Sequence, residues 1–159
     1  MPRIVACLAV IAVLGAGASS MAHAQDCAGQ PQGPSPTRLD VEVDGLQPAR
    51  GEVAITIYPD DARRFLAPKG KLARLRLPVK GASASACFWL PSRAYYAVAV
   101  YHDVNANRDF DRNLLGLPAE GFGFSNDAPT RVGLPPFSAV RFPATRAETS
   151  IRIRIRYLR

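Results

Sequence analysis

Residues 95–102 read YYAVAVYH, and this stretch decides the fold. In an extended chain, Tyr96, Val98 and Val100 share one face, and the residues between them are apolar or aromatic as well. A strand with two apolar faces is expected in the middle of a sheet, where other elements cover both sides. The sequence therefore predicts a buried central β-strand.

Other segments with a two-residue period lie on both sides of this strand in the sequence. Residues 39–44 read LDVEVD and residues 151–157 read IRIRIRY, so each has one apolar and one charged face. Shorter apolar segments separated by Pro and Gly occur at 53–57, 72–78, 86–90 and 140–142. About seven short strands of this kind predict an all-β fold, a single antiparallel β-sandwich.

In the last of these segments, the side-chain period predicts which residues face the core. Ile151, Ile153, Ile155 and Tyr157 should face inward, and Arg152, Arg154 and Arg156 should face water. Arginines in this pattern are typical of a solvated sheet face or of a charged edge that opposes aggregation. A role of this stripe in binding is the alternative.

The N-terminus has the features of a cleavable signal peptide. Arg3 precedes an uncharged apolar run at 4–18, and Ala22-His23-Ala24 fits a cleavage site. We therefore predict a signal peptide at 1–24, a disordered linker rich in Gln, Gly, Pro and Ser at 25–37, and a sandwich domain at 38–159. The apolar run is short for a membrane span, so we expect it to be cleaved with the signal peptide and not to anchor the chain. The mature chain should then have no transmembrane segment and lie in the periplasm or outside the cell.

Charge and cysteine content agree with export. The chain has 20 Lys and Arg against 13 Asp and Glu, a net charge of +7, and cleavage would remove Arg3. This balance favours an anionic surface or an acidic partner, and export argues against nucleic acid. Cys27 and Cys87 remain after cleavage, and in an exported chain they most simply form a disulfide, with two unpaired thiols as the alternative.

Residues 103–111 read DVNANRDFD and place an oxygen-bearing side chain at every second position. Ca²⁺ takes six to eight oxygen ligands, so the sequence suggests a calcium loop. Arg108, however, stands where an EF-hand loop has Gly, and Leu114 stands where it has a bidentate Glu. A metal-free network of Asx turns would explain the same pattern, and both interpretations stay open. The candidate ligands are Asp103, Asn105, Asn107, Asp109, Asp111 and, as a distant carboxylate, Glu120; no other cofactor is predicted.

The stretch YAVAVYHD at 96–103, continued by LGLPAEGFGFSN at 115–126, resembles the bacterial family DUF2141. The resemblance extends over about 38–158 and is most specific over 95–126. Members usually have Gly at the positions of Arg93 and Arg108. The resemblance implies a secreted protein with an immunoglobulin-like or transthyretin-like sandwich, and it brings no assigned activity.

His102 is the only histidine left after cleavage, and with Asp103 and Ser125 it suggests a hydrolase. Nothing in their spacing brings these residues together, so a structural histidine is the simpler interpretation and we predict no catalytic residue. One histidine and a paired cysteine also leave too few ligands for zinc.

The long segment 103–137 is predicted to be an irregular loop, and loops of this length are often functional. Within it, Phe122 and Phe124 would either anchor a partner or pack over the open end of the sandwich. We expect an exported, non-enzymatic module, with calcium as a candidate stabilising ion, that binds a protein or glycan of the cell envelope. A purely structural accessory domain and the hydrolase are the alternatives.

Overall fold

Two packed β-sheets form the domain in the computed structural model, which describes residues 27–130 and 133–158. The predicted signal peptide lies outside the described residues. A 3₁₀ turn at Ser125–Asp127 and a one-turn helix α1 (Phe137–Val140) connect strands near the C-terminus. The eight strands are β1 (Thr37–Asp44), β2 (Glu52–Pro59), β3 (Ala73–Pro78), β4 (Ser83–Leu90), β5 (Ala94–Asp103), β6 (Gly121–Phe124), β7 (Phe142–Ala144) and β8 (Glu148–Arg154).

The predicted all-β sandwich is confirmed. One sheet has the order β4-β1-β8, and the other has the order β3-β2-β5-β6 with β7 paired to β5. Strand β5 is central, as its two apolar faces predict, because β2, β6 and β7 all pair with it. The β1–β8 pair is parallel, so the sandwich is not purely antiparallel as expected. A two-residue period gives the faces of a strand and carries no information about its direction.

The main core lies between the two sheets and is built from the alternating residues of their inner faces. Val41 and Phe88 from the smaller sheet and Ile55 from the larger one are almost completely buried. In β8, Ile153 is buried while Arg152 and Arg154 are exposed, so the predicted inward and outward faces are confirmed. Each such aliphatic side chain stabilises the fold by about 1.5–3 kcal/mol.

A second apolar cluster covers the outer face of the larger sheet. Tyr58 and Phe65 lie with their ring centroids 5.3 Å apart, and Phe65 lies 5.7 Å from Phe137. Phe122 and Phe124 are buried in the same cluster. The outer face of β5 is thereby covered, and Phe122 and Phe124 pack into the domain.

The predicted irregular loop at 103–137 is wrong in its second half, because β6 and the 3₁₀ turn lie within it. The glycines that make β6 resemble a loop in the sequence are needed for close packing. A Cβ on Gly123 would lie 2.6 Å from the carbonyl oxygen of Arg154. Val140, expected with Phe142 in one strand, instead ends α1, and only Phe142 belongs to β7.

The described part of the predicted linker lies along β4. Cys27 and Cys87 form the predicted disulfide, with their Cα atoms 4.6 Å apart. Next to it, the Ala28 N–H donates to the carbonyl of Cys87 (2.9 Å), and the Trp89 N–H donates to the carbonyl of Ala28 (3.0 Å). Cys27 and Ala28 are therefore fixed to β4.

Candidate functional site

Asp103 anchors the loop that carries the candidate ligands. It ends β5, and its carboxylate is completely buried. One oxygen accepts a hydrogen bond from the backbone N–H of Asn107 (3.1 Å). The other accepts from the N–H of Arg108 (2.7 Å) and from the guanidinium of Arg76 (3.0 Å). Three donors thus occupy the carboxylate that would be the first calcium ligand.

The next candidates hydrogen-bond to one another and to the backbone. The side-chain oxygens of Asn105 and Asn107 accept from the N–H groups two residues further on, at 3.1 and 2.8 Å. Their amide groups donate to the carboxylate of Asp111, at 2.7 Å from Asn105 and 3.1 Å from Asn107. Asp109 accepts from the N–H of Phe110 (2.8 Å). This is the Asx-turn arrangement that the sequence left open.

Glu120 closes the base of the loop. Its carboxylate accepts from the N–H of Val104 (3.1 Å) and from the N–H of Asp111 (3.3 Å), so it joins the two ends of the segment. Burial raises the pKa of Glu120, and the nearby charges of Asp103 and Asp111 act in the same direction, while the two N–H bonds oppose the shift. The predicted approach of Glu120 to the other candidates is therefore present.

Within residues 27–130 and 133–158, no group of three or more His, Cys, Asp or Glu side chains has the geometry of a metal site. Asp103 faces Arg76, and the remaining oxygens face donors of the loop itself. Calcium binding by this loop stays a prediction from the sequence.

Arg76 lies outside the loop but is central to its contacts, and the sequence did not reveal this. Its guanidinium lies 3.5 Å from Glu52, donates to Asp103, Tyr101 and the carbonyl of Arg108, and stacks 5.4 Å from the centroid of the Tyr101 ring. It lies on β3, and only the pairing of β3 with β2 and of β2 with β5 brings it to the loop. No local spacing predicts such a contact.

His102 and Ser125 are not brought together. His102 pairs with Gly121 across the β5–β6 ladder, whereas Ser125 bonds to the backbone of Val98, four strand positions or about 13 Å away. The Ser125 hydroxyl also donates to the carbonyl of Val140. The structure thus gives no support to a catalytic pair of these two residues.

Both ring nitrogens of the buried His102 are used in hydrogen bonds. A carbonyl only accepts, so Nε2 carries the proton that is donated to the carbonyl of Arg50 (2.7 Å). Nδ1 is hydrogen-bonded to the hydroxyl of Tyr157, and that hydroxyl accepts the N–H of Gln47 (3.0 Å). His102 thus links the loop between β1 and β2 to the C-terminal segment.

Exposed leucines form the most unusual surface, which we call the leucine rim and which consists of Leu114, Leu115, Leu117, Leu134 and Leu158. Leu114 is fully exposed, and Leu115 exposes 84% of its surface. Leu117, Leu134 and Leu158 line a groove together with Arg112 and with Phe122 of β6. The sequence reasoning missed these residues because a leucine in a loop does not reveal whether it is buried.

The turn that carries Leu114, Leu115 and Leu117 is held by its own polar groups. The side-chain oxygen of Asn113 accepts from the N–H groups of Leu115 and Leu117, both at 3.0 Å. Arg112 donates to the carbonyl of Gly116 (3.0 Å), and this glycine has φ +74°. Hydrogen bonds within the turn therefore hold the leucines in their exposed position.

The family model described as "Uncharacterized protein conserved in bacteria (DUF2141)" matches residues 41–152. The chain belongs to the DUF2141 family. The match extends from β1 into β8 and includes both the ligand-rich loop and most of the leucine rim. Comparisons with curated proteins and with solved structures found no significant match. In the described part of this DUF2141 chain, no helix is long and apolar enough to cross a membrane.

Arg108 occupies a backbone conformation that favours glycine, the residue that the family resemblance leads us to expect there. Its φ is +68°, in the left-handed region that favours glycine, and Ala106 nearby has φ +56°. Arg93, the other position where the family usually has glycine, is not among the described residues with positive φ. The departure from the family pattern therefore strains the loop at Arg108.

Proposed function

We propose that this DUF2141 protein is an exported, non-enzymatic module that binds a protein partner of the cell envelope through its leucine rim. The observation that carries the proposal is the exposure of Leu114 and Leu115 on a hydrogen-bonded turn. Exposed apolar patches with a polar border mark contact sites, and burying one such side chain contributes about 1.5–3 kcal/mol.

A protein suits this surface better than a glycan. Aromatic rings and polar side chains are the groups expected to stack on sugars and hydrogen-bond to them. Phe122 and Phe124 are buried, at 5% and 3% exposure, so neither presents a ring face for stacking on a sugar. Aliphatic side chains around one arginine instead resemble the mixture found at protein interfaces.

Export is supported by the disulfide as well as by the signal-like N-terminus. Disulfides persist in oxidising compartments outside the cytoplasm. If export is correct, intact mass of the protein recovered from the envelope will correspond to a chain that begins at Gln25 and gains two hydrogens on reduction. A chain that retains residues 1–24, or two thiols that alkylate without reductant, would contradict this part of the proposal.

The binding function is tested by native size analysis of envelope extracts. We expect the wild-type chain to elute with a larger complex and the double variant Leu114→Ser/Leu115→Ser to elute as a free domain with an unchanged melting temperature. Leu72→Ser is the control, because Leu72 is also exposed but lies outside the rim. Equal elution of all three proteins would contradict the proposal, and a complex containing only copies of this chain would replace the partner by self-association.

A further inference from the structure

One part of the chain carries positive charge without any negative charge. Between Asp61 and Asp103 there is no Asp or Glu at all. The basic residues of this interval are Arg63, Arg64, Lys69, Lys71, Arg74, Arg76, Lys80 and Arg93. Most of them lie in or beside β3, so the sequence alone places a block of cations on one strand.

The fold puts this block at the free edge of the larger sheet. Strand β3 is the outermost strand in the order β3-β2-β5-β6. Lys71 precedes it, Arg74 lies on it and Lys80 follows it, and all three are exposed. The six residues of β3 span about 20 Å. We call the exposed set Arg63, Lys69, Lys71, Arg74 and Lys80 the basic edge.

The cations of the basic edge have no carboxylate partner among the residues that the structure describes. The ion pairs found there involve Arg38, Arg76, Arg141, Arg152 and Arg156 instead. Within the edge only Arg74 has a hydrogen-bonded side chain, which donates to the hydroxyl of Thr56 (2.8 Å). The positive charge of this surface is therefore not neutralised by the protein itself.

We propose that the basic edge binds a linear anionic polysaccharide. Lys71, Arg74 and Lys80, which are not neutralised and lie before, on and after the extended strand β3, suit a ligand that is itself extended and carries repeated negative charge. A neutral ligand would gain no electrostatic attraction from the positive charge of the basic edge. Charged side chains on a free strand also oppose edge-to-edge pairing, and that effect does not require a polyanion.

A membrane suits this surface less well, although lipid headgroups are anionic too. Stable attachment to a bilayer needs apolar side chains that insert as well as basic residues. Leu66 and Leu72 are the leucines exposed here, at 38% and 42%, so more than half of each stays covered by the protein. The basic edge thus presents charge without a projecting apolar group.

The proposal does not depend on the leucine rim. The rim adjoins β6, and β6 and β3 are the opposite edges of the five-stranded sheet. Loss of polysaccharide binding and loss of the protein partner are therefore separable by substitution at one edge or the other.

The test measures binding of the exported, disulfide-bonded chain to polygalacturonate by titration calorimetry, with neutral dextran of similar length as the comparison ligand. Lys71→Gln/Lys80→Gln removes two charges, one at each end of β3. Arg93→Gln/Arg146→Gln removes the same net charge at exposed positions outside the basic edge, and neither arginine forms an ion pair with a described residue. We expect the first variant to bind about tenfold more weakly, the change that two exposed charge contacts supply together.

The second variant should bind as the wild type does, and raising the salt concentration should weaken binding. Both variants should melt at the wild-type temperature, because no side-chain hydrogen bond of a described residue involves the four substituted side chains. No binding of polygalacturonate, equal binding of dextran, or equal weakening in both variants would overturn the proposal. Anionic phospholipid vesicles provide the last comparison, and vesicles bound as tightly as the polysaccharide would assign the surface to a membrane and overturn it as well.

Discussion

Asp103→Ala is expected to destabilise the domain by about 3 kcal/mol. The substitution removes a completely buried carboxylate and leaves Arg76 and two backbone N–H groups without that partner. Breaking a buried ion pair from one side costs about 3–5 kcal/mol. The effect should fall at the lower end of this range, since Glu52 remains 3.5 Å from Arg76.

Urea unfolding followed by the fluorescence of Trp89 measures this loss. With a slope near 2 kcal/mol per molar urea, a loss of about 3 kcal/mol lowers the unfolding midpoint by about 1.5 M. Asp109→Ala is the matched control, because Asp109 is exposed and accepts only from the N–H of Phe110, and it should lower stability by less than about 0.5 kcal/mol. Equal midpoints for the two variants would refute the assignment of Asp103 as the anchor of the loop.

A double-mutant cycle isolates the contact between Asp103 and Arg76. Residues in one hydrogen-bond network show coupling energies of about 0.5–3 kcal/mol, and this buried pair should lie in the upper half of that range. A coupling near zero would mean that Asp103→Ala acts through the backbone N–H groups alone.

Three further predictions concern the loop and the core. Arg108→Gly should raise stability by about 0.5–1 kcal/mol, seen as a higher melting temperature, because it relieves a left-handed backbone at an exposed side chain; an unchanged or lower temperature contradicts this. Ile153→Ala should cost about 2–5 kcal/mol in urea unfolding and Arg154→Ala less than about 0.5, so similar costs would show that the two faces of β8 are misassigned. If the loop binds calcium as the sequence suggests, the melting temperature should be several degrees higher in millimolar calcium than in chelator, and equal temperatures would leave the metal-free Asx network.

The strands that the sequence predicts best are those in which the burial of one face alone determines the order of apolar and polar residues. In LDVEVD and IRIRIRY, burial of one face requires a two-residue period, and the period is visible without knowledge of the fold. Strand β6 was not predicted because its glycines are required by close packing against a segment that is distant in the sequence. Gly123 lies against the backbone of Arg154, and the sequence around residue 123 does not predict this contact.

The loop shows the same division. The alternating Asp and Asn side chains predicted either a calcium site or an Asx network, because both use the same oxygens. The contact of Arg76 with Asp103 helps to distinguish the calcium site from the Asx network. It depends on the pairing of β3 with β2 and of β2 with β5, which the sequence around the loop does not predict. Likewise, the exposure of Leu115 depends on where the turn projects from the sandwich, which hydrophobicity alone does not determine.

Site-specific photocrosslinking in living cells tests the binding function most directly. A photoreactive residue at Leu115 reports contacts of the leucine rim, and the same residue at Leu72 reports an exposed position outside it. We predict one discrete adduct from position 115, identified by mass spectrometry as a single envelope protein, and no such adduct from position 72. Loss of the adduct when Leu114 and Leu117 are changed to Ser would confirm that the rim forms the contact. The absence of an adduct at position 115, or the same mixture of adducts at both positions, would contradict the proposal that this protein is a binding module.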